Sequence, residues 1–288
     1  MAEQNISPRD FFATESAIAD LGLIACPGAE ELCKLVDGHL VRWAREVGMD
    51  VDTFIIPSDC PRFQSGDAKG LVKASTRGDD LYIFVDPGNY SVTYQLFGYE
   101  NHLSPDDHFQ NLMRLIQAVA GRAHRISVIM PSLYGGRQHR RVSRESLDCA
   151  FALQQLRDVG VKNIITFDAH DPRVMNDVFI ADDIIASGES MLDIAYELKM
   201  RGARNIFTCC TFPLFTAGLE KFDKAYHDGI IKAVLGTNLT YRKPELLERE
   251  WYYDVDVSKY TAYFIAAINH DKSVSSIIDP MTKIRALL

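Results

Sequence analysis

Two adjacent carboxylates stand close to small and hydroxyl-bearing residues in the stretch 181–190, Ala-Asp-Asp-Ile-Ile-Ala-Ser-Gly-Glu-Ser. Asp182 and Asp183 could hold ribose hydroxyls or a metal ion. The hydroxyl and backbone N–H groups come from three residues further along: Ser187, Gly188 and Ser190. A helical pattern of apolar residues follows over 191–200, so these groups would meet at a helix N-terminus, which favours anions. The stretch suits a sugar phosphate, and equally an ordinary β-to-α loop with a serine cap.

The densest positive charge of the chain lies in the segment 134–144. Its four arginines are Arg137, Arg140, Arg141 and Arg144, and they follow the pair Gly135-Gly136. Guanidinium groups donate forked hydrogen bonds to phosphate, and glycines allow a backbone to approach a ligand closely. A polyphosphate site is favoured over a solvated basic loop, because an otherwise acidic protein has concentrated its positive charge here.

Two smaller sets of residues could also bind ligands. Asp168 and His170 follow an apolar run and could share a hard cation such as Mg²⁺, mainly through water. A single histidine at a strand end is also commonly a structural hydrogen-bonding group. Phe63 and Asp67 lie in the loop 57–70, where an aromatic face and an acceptor could take an adenine ring, although a simply packed phenylalanine is the plainer alternative.

Composition narrows the function classes. The 288 residues carry a net charge of -8, which argues against a general nucleic-acid or membrane-surface binder. Six cysteines without Cys-x-x-Cys spacing indicate reduced thiols and a cytoplasmic protein. We find neither a signal peptide nor an apolar run long enough to span a bilayer. The phosphate loop of P-loop kinases, the nucleophile elbow of hydrolases and the glycine turn of dehydrogenases are also missing from the sequence.

Short apolar runs alternate with helical patterns, which predicts parallel α/β sheets whose ligands lie beyond the carboxyl ends of the strands. The predicted strands are 21–25, 51–56, 81–86, 125–131, 163–167, 178–180, 205–210, 232–236 and an edge strand at 251–257. The predicted helices are 30–47, 106–120, 145–159, 190–201, 214–227 and 259–269. Only ten residues separate the strand ending at 167 from the strand starting at 178, too few for a parallel crossover. The two strands therefore belong to different sheets, or a segment is missing.

Five motifs in order resemble the ribose-phosphate pyrophosphokinase family, and the likeness runs from about 21 to 278. The motifs are Arg62-Phe63-Gln64-Ser65-Gly66-Asp67, Ser75-Thr76-Arg77-Gly78-Asp79, the segment from Tyr134 to Glu145, Thr166-Phe167-Asp168-Ala169-His170, and Asp182 to Ser190. The resemblance implies two phosphoribosyltransferase-type domains, an ATP-side domain at 1–177 and a shortened ribose-phosphate-side domain at 178–288. It implies transfer of pyrophosphate from MgATP to ribose 5-phosphate, which gives phosphoribosyl pyrophosphate and AMP.

The resemblance also assigns residues to each ligand. ATP would be bound by Phe63, Asp67, Arg137, Gln138 and His139. Ribose 5-phosphate would be bound by Asp182, Asp183, Ser187, Gly188 and Ser190, and Mg²⁺ by Asp168 and His170. It further implies a homo-oligomer in the cytoplasm that binds neither nucleic acid nor membrane.

The chain departs from the family at points that bear on activity. His139 and Ala186 each replace an acid, and Glu189 replaces a glycine beside the phosphate site. Between His170 and Asp182 the chain lacks the family's pyrophosphate loop and its mobile loop with catalytic lysine and arginine, so no catalytic residue is predicted. The alternative function is therefore a catalytically inactive, regulatory or nucleotide-binding member of the same family.

Overall fold

The computed structural model describes residues 12, 17–135, 146, 148–167, 177–200, 203 and 205–274. The elements of the first half are β1 (Leu21–Ala25), α1 (Glu30–Glu46), β2 (Ser58–Asp59), β3 (Leu71–Val72), β4 (Asp80–Phe84), β5 (Thr93–Leu96), β6 (Tyr99–His102), α2 (Pro105–Val119), β7 (Arg125–Ile129), α3 (Asp148–Asp158) and β8 (Asn163–Ile165). Those of the second half are β9 (Asp177–Ile185), α4 (Glu189–Met200), β10 (Asn205–Pro213), α5 (Glu220–His227), β11 (Ala233–Thr237), α6 (Pro244–Leu247), β12 (Tyr252–Val255) and α7 (Ser258–Asn269).

The first half contains a four-stranded parallel sheet in the order β1-β4-β7-β8. Every residue of β4 is buried, as expected for a central strand covered on both faces. Tyr82 and Phe84 pack with α1 on one face, while Leu81 and Ile83 pack with α2 on the other. Ser104 caps α2 and exchanges hydrogen bonds with Asp107, which fixes where this helix begins.

The second half contains a four-stranded parallel sheet in the order β12-β11-β10-β9. Its core is aromatic, because Phe215, Phe222 and Trp251 contact one another with ring centroids 5.0–5.8 Å apart. Helices flank both sheets, so the predicted α/β architecture is confirmed. The strands β8 and β9 lie in different sheets, as the short connection between them predicted.

Several predicted boundaries are wrong. The strand predicted at 178–180 is nine residues long, because β9 pairs with β10 as far as Ile185 and takes in the two carboxylates that were expected in a loop. The predicted strand 51–56 is reduced to one bridge between Ile55 and Leu23. The helix predicted at 214–227 begins only at Glu220. The hairpin β5–β6 lies between the predicted strand 81–86 and the predicted helix 106–120, where no element was predicted.

The last helix, α7, returns to the first sheet. Ala262, Ile265 and Ala266 are buried in the same cluster as α1. The domain boundary predicted at 177/178 stays a prediction. With that boundary, α7 would belong to the second domain by its position in the sequence, although it packs on the sheet of the first. No helix in the described part of the chain is both long and apolar enough to cross a membrane.

A buried polar network fastens α7 to the sheet. Asp80 is fully buried and accepts hydrogen bonds from Nε and Nη2 of Arg125 at 2.7 and 2.6 Å. It also accepts one from Nδ2 of Asn269 at 3.0 Å, and Nη2 of Arg125 donates to the carbonyl of Ile268 at 2.9 Å. The ion pair raises the pKa of the Arg125 guanidinium, since its hydrogen bonds with Asp80 outweigh the cost of burial.

We expect Asp80→Ala to lower the free energy of unfolding by about 3–5 kcal/mol, because it leaves a buried guanidinium without its partner. Urea denaturation followed by circular dichroism measures the change. The matched control is Asp158→Ala, which breaks an ion pair whose two side chains are mostly exposed and should cost less than about 1 kcal/mol. Equal losses in the two variants would contradict the role given to Asp80.

Candidate functional site

The turn between β9 and α4 has a tightly determined shape. The backbone N–H of Phe215 donates to the carbonyl of Ile185 at 2.8 Å, and the N–H of Leu192 donates to the carbonyl of Gly188 at 2.9 Å. Gly188 has a φ of +69°, and a Cβ at this position would overlap the buried ring of Phe222. Only glycine therefore fits, and the turn brings its backbone against α5.

The predicted sugar-phosphate residues are distributed around this turn. Asp182 and Asp183 lie on β9, and each accepts a hydrogen bond from the next backbone N–H, at 2.9 and 2.8 Å. The two serines, Ser187 and Ser190, are exposed on either side of the helix start. Hydroxyls and the N-terminus of α4 thus face solvent together, which is the arrangement that binds anions in α/β proteins.

An internal ion pair occupies the same turn. Glu189 is the first residue of α4, and its carboxylate pairs with Nζ of Lys221 on α5. The hydrogen bond and charge of Lys221 lower the pKa of Glu189. The turn therefore carries a carboxylate of its own beside the positive end of the helix, and Lys221 pairs with it.

The loop that contains Phe63 is held by its own hydrogen bonds. The N–H of Phe63 donates to the carbonyl of Asp67 at 2.7 Å, and the N–H of Gly66 donates back to the carbonyl of Phe63 at 2.9 Å. Arg62 donates to the carbonyl of Gly66 at 2.9 Å and pairs with Asp107 at 2.8 Å. The ring of Phe63 is nevertheless 53% exposed, and Nζ of Lys69 lies 5.8 Å from its centre. The loop thus presents a largely exposed aromatic ring with a cation at one side.

A buried acid joins the two halves of the molecule. Asp86 follows β4 and accepts hydrogen bonds from Oγ1 of Thr240 at 2.8 Å, from the N–H of Tyr241 at 3.2 Å and from the N–H of Gly88 at 3.0 Å. Burial raises the pKa of Asp86 to about 6, although these hydrogen bonds oppose the shift. No role was predicted for Asp86. Its position directly after an entirely apolar strand was the one feature of the sequence that pointed to it.

The remaining predicted site residues, Arg137, Gln138, His139, Asp168 and His170, lie outside the described residues, and their roles stay predictions. Within the described ranges, no group of three or more His, Cys, Asp or Glu side chains is placed to hold a metal ion. Asp67 is exposed, and its carboxylate accepts a hydrogen bond from Oγ of Ser65 at 2.8 Å.

The two parallel sheets define an α/β protein of the two-domain phosphoribosyltransferase type. Its fold is similar to the crystal structure of phosphoribosylpyrophosphate synthetase from Mycobacterium smegmatis, with a TM-score of 0.67, 15% sequence identity, and coverage of 88% of this chain and 99% of that chain. Residues 26–160 match the family described as the N-terminal domain of ribose phosphate pyrophosphokinase. This segment of the chain therefore carries the N-terminal domain of that family, and the resemblance is confirmed for the motifs that lie within it. No curated protein matches the chain.

We expect Gly188→Ala to destabilise the protein by more than the strain of a positive φ alone, which is about 1–2 kcal/mol, because the new methyl group also collides with Phe222. Gly229→Ala is the matched control, since Gly229 has a φ of +67° and open space around it. Thermal unfolding of the two variants measures the difference. A loss no greater than that of Gly229→Ala would mean that the ring of Phe222 does not fix the turn.

Asp86 should make stability depend on pH. Its pKa of about 6 in the folded protein exceeds the value of about 3.9 in an unfolded chain, so the folded state binds more protons between these limits. The free energy of unfolding should therefore fall as pH rises from about 4 to about 6, by on the order of 2 kcal/mol for this group. Urea titrations at several pH values between about 4 and about 6 measure this dependence. Asp86→Asn should remove the fall in the free energy of unfolding, whereas Asp50→Asn, at an exposed carboxylate, should keep it. Identical slopes in the wild type and Asp86→Asn would contradict this account.

Proposed function

We propose that this protein is a ribose-phosphate diphosphokinase, which transfers the β,γ-pyrophosphate of MgATP to the anomeric hydroxyl of ribose 5-phosphate. The bond between Pβ and the α-phosphate oxygen breaks, a bond from the anomeric oxygen to Pβ forms, and the hydroxyl proton is released. The products are phosphoribosyl pyrophosphate and AMP. The proposal places the enzyme in the cytoplasm as a homo-oligomer.

The observation that carries the proposal is the turn after β9, where Gly188 brings the backbone close to α5 and the start of α4 faces solvent with Ser187 and Ser190. Backbone N–H groups and hydroxyls at a helix N-terminus suit a sugar phosphate. Asp182 and Asp183, directly before the turn, supply acceptors for ribose hydroxyls. The 5-phosphate and the ring hydroxyls would then be held by consecutive parts of one chain segment.

The first half supports the nucleotide side of the proposal. The exposed ring of Phe63 offers a stacking face for adenine, and the loop around it is rigid before any ligand binds. Arg137 and Gln138 would orient the polyphosphate, with His139 beside them. Charge stabilisation and positioning supply most of the catalysis in phosphoryl transfer, so these contacts are of the kind that the reaction needs.

Magnesium would be held by Asp168 and His170. A carboxylate and an imidazole that reach the ion mainly through water suit a cation that keeps part of its hydration shell. When bound, the ion would neutralise charge on the β- and γ-phosphates. The side chains named above would meanwhile bind and orient the two substrates.

A second candidate function is a non-catalytic member of the family that binds nucleotide and regulates a homologous enzyme. The ion pair between Glu189 and Lys221 favours it, since a carboxylate at the phosphate turn repels the sugar phosphate. The absent catalytic loop, expected from the sequence, favours it as well.

Formation of AMP from ATP, ribose 5-phosphate and Mg²⁺ tests the proposal, and we expect turnover by the wild type. Asp183→Asn should weaken binding of ribose 5-phosphate and leave the affinity for ATP unchanged, because it removes an acceptor only from the sugar site. Asp193→Asn, an exposed acid further along α4, is the control and should leave both unchanged. ATP binding without any AMP formation would reject the enzyme in favour of the second candidate.

A further inference from the structure

The hairpin β5–β6 turns through two residues with positive φ, Phe97 at +52° and Gly98 at +82°. Tight hairpin turns with both central residues in this region favour Asn-Gly, because a side chain at a positive φ crowds its own backbone. A bulky residue such as phenylalanine is an outlier there. Phe97 therefore strains the turn that it occupies.

Burial does not offset this strain. The side chain of Phe97 is 81% exposed, and that of Tyr99, which follows the turn, is 75% exposed. A phenylalanine that gains little burial within its own chain and also strains the backbone is costly to stability. Such residues concentrate at binding sites, where a ligand supplies the missing contacts.

The hairpin lies against the loop that contains Phe63. The guanidinium carbon of Arg62 is 3.9 Å from the centre of the Tyr94 ring, and Cδ1 of Leu96 would be 3.1 Å from a Cβ at Gly66. Leu96 and Tyr99 are opposite each other in the hairpin, so both project from the face that meets this loop. The exposed aromatic residues of the turn thus belong to a hairpin that packs directly on the loop of Phe63.

We propose that Phe97 and Tyr99 form a second aromatic wall for the nucleobase, in addition to the face of Phe63. This inference rests on the proposed function, because it takes the base to be that of the bound ATP. A planar base offers two faces, and aromatic side chains stack on either of them without regard to its hydrogen-bonding edge. The hairpin would therefore favour a nucleoside triphosphate over a triphosphate without a base.

A small ligand suits this surface better than a second copy of the chain. Two side chains at the tip of a four-residue hairpin expose far less than the roughly 800 Å² per partner that a stable interface buries. The hairpin that carries the two rings also packs on the loop of Phe63, where the base is expected to bind.

Calorimetric titration of Phe97→Asn with MgATP and with magnesium tripolyphosphate tests the proposal. Asparagine suits a turn with positive φ, so the variant should unfold at a higher temperature than the wild type. Weaker ATP binding could then not be attributed to a damaged fold. We expect the Kd for ATP to rise about ten-fold and the Kd for tripolyphosphate to stay unchanged. Tyr99→Thr, which keeps a strand-forming residue in β6, should weaken ATP binding in the same selective way.

Met200→Gln is the control, since Met200 is an exposed apolar residue at the far end of α4 and should affect neither ligand. Unchanged ATP affinity in Phe97→Asn would overturn the inference. A loss of self-association of that variant in sedimentation would then indicate that the surface binds a second copy of the chain instead of a nucleobase. Equal weakening of ATP and tripolyphosphate would also overturn it, because the base would then play no part. Formation of AMP by the wild type separates this failure from failure of the proposed function, in which the wild type forms no AMP from ATP and ribose 5-phosphate.

Discussion

A carboxylate that is fully buried at the start of a central strand determines where helix α7 is placed. Asp80 holds Arg125 and Asn269, and through them it holds α7 on the first sheet. The other end of α7 is tied to the second sheet, because Asp256 accepts hydrogen bonds from Asn238 and from the N–H of Ser258. One helix is thus anchored to both sheets by polar groups that would be costly to leave unpaired.

Near the opposite end of the strands, Asp86 and Arg242 link the halves again. Asp86 accepts its hydrogen bonds across the junction, and Arg242 pairs with Glu31 of α1 and with Asp254 of β12. The first sheet is therefore connected to the second half at both of its ends, through α7 at the start of β4 and through Asp86 beyond its end. Ligands that contact residues of both halves would bind at the end where the strands finish, where the polar loops gather.

The sequence predicted most of the elements that position the site. The strand 21–25 and the helices at 30–47 and 259–269 agree with β1, α1 and α7 within one residue, because their apolar residues recur with a clear period. The end of β9 was missed, since the two aspartates interrupt its apolar run and only pairing with β10 shows that the strand continues.

Other features depend on contacts that no local pattern reveals. The partner of Asp86 is Thr240, 154 residues further along the chain. The hairpin β5–β6 escaped prediction because its turn contains Phe97-Gly98 in place of a favoured turn pair such as Asn-Gly. The family motifs assign ligands to several loops, and those roles stay predictions. The pairing of Glu189 with Lys221 and the contact of Gly188 with Phe222 are visible only in the packed structure.

In the described part of the chain, β8 and β9 are each the outermost strand of their own sheet. The chain therefore leaves one sheet from an outermost strand and enters the other at an outermost strand. Loops at such positions change length readily in evolution, since insertion or loss of residues there leaves both hydrophobic cores intact. A change of length at this point would thus leave the inner strands of both sheets in place.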